Sequence, residues 1–155
     1  TFTIKGDSTI HTFDGDIASK GNLIFDGHFK LLNCRIEAMN GMEISAGSSL
    51  AWTDKLVVEG DVTIDDSAIL NIYLSSLGLD EYLALESDAS ITLSGEMDLN
   101  VYDQDGQLLE DWKYELRPGE GGDQLWITAA VPEPATYATI FGALALAFAA
   151  YRRRK

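Results

Sequence analysis

Apolar side chains recur along this chain in two nested rhythms. The shorter is alternation: "TFTI", "NLIF", "MEIS" and "VTID" each carry apolar residues at i and i+2, the spacing that lines one face of a β-strand. Turn residues follow each run, as Gly6-Asp7, Asp26-Gly27, Gly47-Ser48 and Asp65-Asp66. The longer rhythm is a repeat near 20 residues. Ile4, Phe25, Ile44, Ile64 and Leu85 are separated by steps of 21, 19, 20 and 21. Phe2, Leu23, Met42, Val62 and Leu83 keep the same steps, as do Ile10, Leu31, Leu50, Leu70 and Ile91. A looser fourth column runs through Ile17, Ala38, Val57 and Leu77.

Short strands at a fixed period predict an all-β solenoid: a right-handed β-helix stub of about five coils, each burying its apolar face on the next. Rungs ~4.8 Å apart make this a stub roughly 20–25 Å long. A β-sandwich is the alternative, since short strands with regular turns also fit it. A leucine-rich repeat fits less well: Met39, Met42 and Ile44 match part of its pattern, but Glu59 stands where the next unit needs an apolar residue. The repeat fades after Ile91. "MDLNVYDQDGQLLEDWKYELR" reads as a hairpin turning at Asp105-Gly106. "GGDQLWITA" reads as a last strand with Leu125 and Ile127 on one face and Trp126 on the other. The chain divides into solenoid repeats over 1–94, a β-hairpin cap over 95–130 that blunts the last edge, and a different tail over 131–155.

That tail is "VPEPATYATIFGALALAFAAYRRRK". Ala135 to Tyr151 is 17 residues without a formal charge, and as a helix it rises about 26 Å. This predicts one short transmembrane helix, with Arg152, Arg153, Arg154 and Lys155 snorkelling into headgroups and holding their end cytoplasmic. Pro132 and Pro134 disfavour helix before them and separate the body from the span. Val131-Pro132-Glu133-Pro134, an apolar helix and a terminal basic cluster, in this order, resemble the PEP-CTERM sorting signal of exported bacterial proteins. Ala135 stands where Ser is common. The resemblance covers residues 131–155 and implies recognition by an exosortase, a membrane-embedded cysteine-protease-like enzyme, with cleavage near the Pro-Glu-Pro motif. The repeats in turn resemble the autotransporter-type β-strand repeats found with such tails.

Charge narrows the partners. The chain has 11 basic and 25 acidic residues; four of the former and one of the latter fall in 132–155, leaving a body of 7 and 24, net −17. This argues against nucleic-acid binding. The single cysteine, Cys34, excludes an intrachain disulfide, and with His11 and His28 in no supporting motif it reads as an inert thiol. Export requires an N-terminal signal; none opens the chain and Thr1 is not an initiator Met, so more sequence upstream is expected.

Several constellations hint at chemistry. Asp103-Gln104-Asp105-Gly106 matches the D-x-D-G core of a calcium loop, but Val101 and Trp112 stand where an EF-hand needs acids, so a turn is the better reading. Alternation puts Asp61 and Asp65 on one outer face beside Asp66, either a weak cation site or solvated turn acids. Trp52, Tyr73, Trp112 and Trp126 are either a sugar-stacking surface or core and cap. No nucleophile elbow, phosphate loop or zinc pattern is present. The expected protein is therefore a non-enzymatic, structural or adhesive one, exported and held at least transiently in the membrane, then at the cell surface or in the extracellular matrix. No catalytic residue, metal or cofactor is expected. Its partners are an exosortase-type enzyme, the membrane and an extracellular polysaccharide. The alternative is the C-terminal part of a β-helical polysaccharide-active enzyme with its active site upstream.

Overall fold

The computed structural model describes residues 2–129 and Leu146. It is all-β, and the thirteen strands join one hydrogen-bonded sheet that wraps into a nearly closed, barrel-like surface. Two long strands come first, β1 (Phe2–Ser19) and β2 (Leu23–Ala38), paired in parallel. The same length of chain then breaks into shorter pieces: β3 (Met42–Ile44), β4 (Ser49–Thr53) and β5 (Leu56–Glu59), followed by β6 (Val62–Ile64), β7 (Ile69–Tyr73) and β8 (Glu81–Ser87). After β9 (Ile91–Leu93) and β10 (Asp98–Tyr102) come β11 (Leu108–Leu109), β12 (Trp112–Pro118) and β13 (Asp123–Ala129).

Pairing follows the repeat. On one side β1, β2, β3, β6 and β9 stack in parallel, aligning Phe2, Leu23, Met42, Val62 and Ile91, and two residues on Ile4, Phe25, Ile44, Ile64 and Leu93. A second ladder joins β2, β4, β7 and β10 through Phe29, Leu50, Leu70 and Leu99. The third joins β1, β2, β5 and β8 through Ile17, Ile36, Val58 and Ser87. Leu23, Phe25, Ile36, Ile44, Leu50, Val58, Val62 and Leu70 are fully buried, so all three ladders face one core. Each such side chain contributes about 1.5–3 kcal/mol by leaving water. The aligned pairs within the ladders are parallel, unlike the antiparallel sheets of the sandwich alternative.

The corners account for five of the acidic residues. Asp7 Oδ1 accepts the His28 amide at 3.2 Å, Asp54 Oδ1 that of Ser75 at 2.8 Å and Asp61 Oδ1 that of Ser90 at 3.0 Å. Asp88 Oδ1 takes the Gly60 amide at 2.7 Å and Asp123 Oδ2 that of Ile91 at 2.9 Å. A chain leaving a strand presents amides that no ladder satisfies, and an aspartate from the neighbouring unit satisfies them. Gly60 marks a tight corner: its φ is 120°, and a Cβ there would run into the Ala38 carbonyl.

Four details of the predicted columns are corrected. Leu83 and Leu85 are not the next rungs after Val62 and Ile64; Ile91 and Leu93 are. Ile91 accordingly does not extend the Leu50–Leu70 column, which continues in Leu99, and Leu50 lies beside Phe29 rather than Leu31. In the fourth column Ile17 lies beside Ile36, not Ala38. Val57 faces outward while Val58 is buried, and Leu77 is exposed. A register shift between His11 and Gly15 sets Ile17 beside Ile36, and one insertion accounts for the displacement of Leu77, Leu83, Leu85 and Ile91. Thr53 aligns with Tyr73 and Leu56 with Leu85, so three steps in one unit become twelve in the next. Nine extra positions thus fall between Tyr73 and Leu85, taken up by the 74–80 loop and the start of β8, and a fixed period cannot carry the register across them.

At the C-terminal end β10 still lies parallel on β7, and its hairpin with β11 is short, with Gly106 in the turn at φ 77°. β12 pairs not with β10 but with β13, and β13 closes antiparallel on β8. Leu125 and Ile127 are buried and Trp126 faces the other way, as alternation requires. Among the described residues no helix is long and apolar enough to cross a membrane. The predicted transmembrane helix over 135–151 lies outside them except for Leu146.

Candidate functional site

Val131, Pro132, Glu133 and Pro134 of the sorting motif lie outside the described residues, as do Arg152, Arg153, Arg154 and Lys155. The structure instead shows their root. β13 ends at Ala129, whose amide donates to the Asp80 carbonyl at 2.8 Å. A groove beside this exit is lined by Leu79, Asp80, Glu81, Trp126, Thr128 and Ala129. Arg117 reaches across its neighbourhood. Its guanidinium lies 4.8 Å from the Trp126 ring centre and donates to Glu81 Oε2 at 2.8 Å and Glu115 Oε2 at 3.0 Å. The bond from Arg117 holds the Glu81 carboxyl below its usual range.

The three acids near β6 do not converge. Asp61 is engaged by the Ser90 hydroxyl at 2.8 Å and the Ser90 amide, and these bonds lower its pKa. Asp65 turns instead to Glu43, and Asp66 lies against Gly95. No cluster of three potential metal-binding side chains occurs among the described residues. Asp103 organises a turn, its Oδ1 accepting the amides of Asp105 and Gln107 at 2.9 Å each.

Glu43 was not singled out from the sequence. It lies beside Thr63 in the β3–β6 pair, which brings Asp65, two residues on, into its reach. The hydrogen bond with Asp65, then partial burial, then the Asp65 charge hold the Glu43 carboxyl above the usual range; a bond from Asn22 works the other way. A raised folded-state pKa stabilises the protonated form, so this contribution is full below the unfolded pKa and is lost as pH rises through the folded value. Glu43→Gln should therefore raise the melting temperature at pH 7, with the gain vanishing as pH falls toward about 4. Thermal melts across pH check this; a variant no more stable than the parent at pH 7 would contradict it.

The aromatic set separates into core and surface. Trp52 is 2% exposed and its Nε1 donates to the Ala84 carbonyl at 2.9 Å. Tyr73 stacks on Tyr102 with ring centres 4.7 Å apart, and Lys30 Nζ sits 4.5 Å from the Tyr73 centre. Trp112 packs against Tyr82 at 6.0 Å. The four residues do not share one surface. The half-buried Cys34 thiol lies 3.3 Å from the Leu32 carbonyl oxygen, and His28 Nδ1 lies 2.8 Å from Ser49 Oγ.

Residues 130–155 match the PEP-CTERM protein-sorting motif. The match covers the tail and leaves the β body unassigned. It points to export, to recognition by an exosortase and to a membrane-associated sorting step. No curated protein and no solved structure matches the chain.

Proposed function

We propose that this chain is a structural or adhesive protein of the bacterial surface or extracellular matrix, whose body is a right-handed β-helix stub and whose tail is a transmembrane address read by an exosortase. The observation that carries this reading is the tail itself: Pro-Glu-Pro, an uncharged run and four terminal cations, in the one segment that matches a sorting motif. Parallel stacking of successive units supports the solenoid. A stack of this kind presents long outer faces suited to other matrix components such as polysaccharide.

The reading gives the body no catalytic role. Its corner aspartates are committed to backbone amides of neighbouring units, so they are already bonded in the folded chain. Incubation with surface polysaccharide should release no new reducing ends; release above the background of boiled protein would favour the enzymatic alternative.

The sorting step is tested with an epitope tag placed after Lys155. In a host with its exosortase the tag should be lost from the mature protein, and in a strain lacking the enzyme it should remain. A tag retained in both strains would mean a permanent anchor.

A further inference from the structure

The seven residues between β7 and β8, 74–80, form a loop that is held by hydrogen bonds and yet exposes two leucines. Leu77 is 54% and Leu79 67% exposed. A floppy loop could fold such side chains back onto the sheet; this one is pinned. Asp54 Oδ1 accepts the Ser75 amide at 2.8 Å, and the Ser75 hydroxyl donates to the same carboxylate. The Tyr82 hydroxyl accepts the amides of Gly78 at 2.9 Å and Leu79 at 3.1 Å, and donates to the Ser76 carbonyl at 3.0 Å. The loop meets the exit of the chain, because the Asp80 carbonyl takes the Ala129 amide.

We propose that this loop is a bilayer-contact element: while the tail still spans the membrane, Leu77 and Leu79 enter the interfacial layer of the lipid. The inference rests on the tail reading given under Proposed function. Six chain steps lead from Ala129 to Ala135, where the uncharged run begins, a reach of at most about 20 Å. The loop is therefore held within that distance of the lipid. Two leucines bind a bilayer weakly from free solution, but a tether this short makes the contact intramolecular and supplies a high effective concentration.

The chemistry of the rim selects the occupant. Asp80 borders the groove next to Leu79 while Glu81 is already paired with Arg117, so the chain's own Glu133 would meet like charge at Asp80. A zwitterionic interface offers apolar depth for the leucines and choline cations for Asp80. Anionic lipid would repel both this rim and a body of net charge −17. The body is thus attached at two points, the tail and the loop. Once the tail is cut, the loop alone is too weak a hold, so cleavage releases the body.

Spin labelling of the full chain in phosphatidylcholine vesicles tests this. Gly78→Cys places a label between the two leucines without removing either; a side chain there meets open space. Cys34→Ser removes the native thiol. A label at Met39→Cys, also highly exposed but at another corner, serves as the aqueous reference, and one at Leu144→Cys reports the tail. The position-78 label should collide with membrane-dissolved oxygen several-fold more, relative to aqueous nickel chelate, than the position-39 label. Adding Leu77→Ser and Leu79→Ser should return it to the reference value. If the 144 label is in lipid while the 78 label behaves like the reference, the loop proposal fails and the tail reading stands. If the 144 label is itself in water, both fail. A 78 label shielded from both reagents would mean that protein covers the loop, which also overturns the proposal.

Discussion

Ile64→Asp should leave the chain unfolded at room temperature, whereas Thr63→Lys, one residue away, should melt within a few degrees of the parent. Ile64 is 1% exposed and lies between Ile44 and Leu93 in its ladder. An aspartate there has no partner and no water. Uncompensated buried charge costs about 3–5 kcal/mol, against a total stability of about 5–15 kcal/mol for a domain, and the lost apolar burial adds to it. Thr63 points to the other face, between Glu43 and Thr92. A lysine there sits opposite a carboxylate, an arrangement that stabilises adjacent strands slightly. Thermal melts followed by circular dichroism decide the matter, and equal losses in the two variants would show that the register is wrong.

Trp52→Ala should cost about 3–5 kcal/mol, the range for removing a buried aromatic side chain. It also deprives the Ala84 carbonyl of its indole donor. Trp126→Ala should cost about 1 kcal/mol, since that ring and the Arg117 side chain over it are both only half-buried and a cation–π pair open to solvent contributes little. Denaturant titration of both variants separates core from surface. A Trp52 variant that loses less than about 1 kcal/mol would return Trp52 to the set of candidate sugar-stacking rings and remove it from the core.

Local alternation is physically self-contained, and that is why so much of the first ladder could be read directly. Leu23, Met42 and Val62, and Phe25, Ile44 and Ile64, align as their spacing implied, because in a parallel stack each unit must repeat its neighbour's polarity to share one core. The sorting tail was legible for a different reason: a processing enzyme reads it as a linear string, so its information lies in order rather than in folding. Tertiary structure decided everything that depended on which unit lies beside which. The inserted residues moved Leu85 out of the Ile44–Ile64 ladder to a place beside Leu56 and let Ile91 and Leu93 take up the vacated rungs, and a period measured along the chain contains no signal of where a loop leaves the stack. Glu43 and Asp65 share a hydrogen bond only because β3 and β6 are aligned residue for residue. Trp52 and Trp126 look alike as letters, but one points into the core and the other onto the surface, since burial is a property of what the other strands place around a ring.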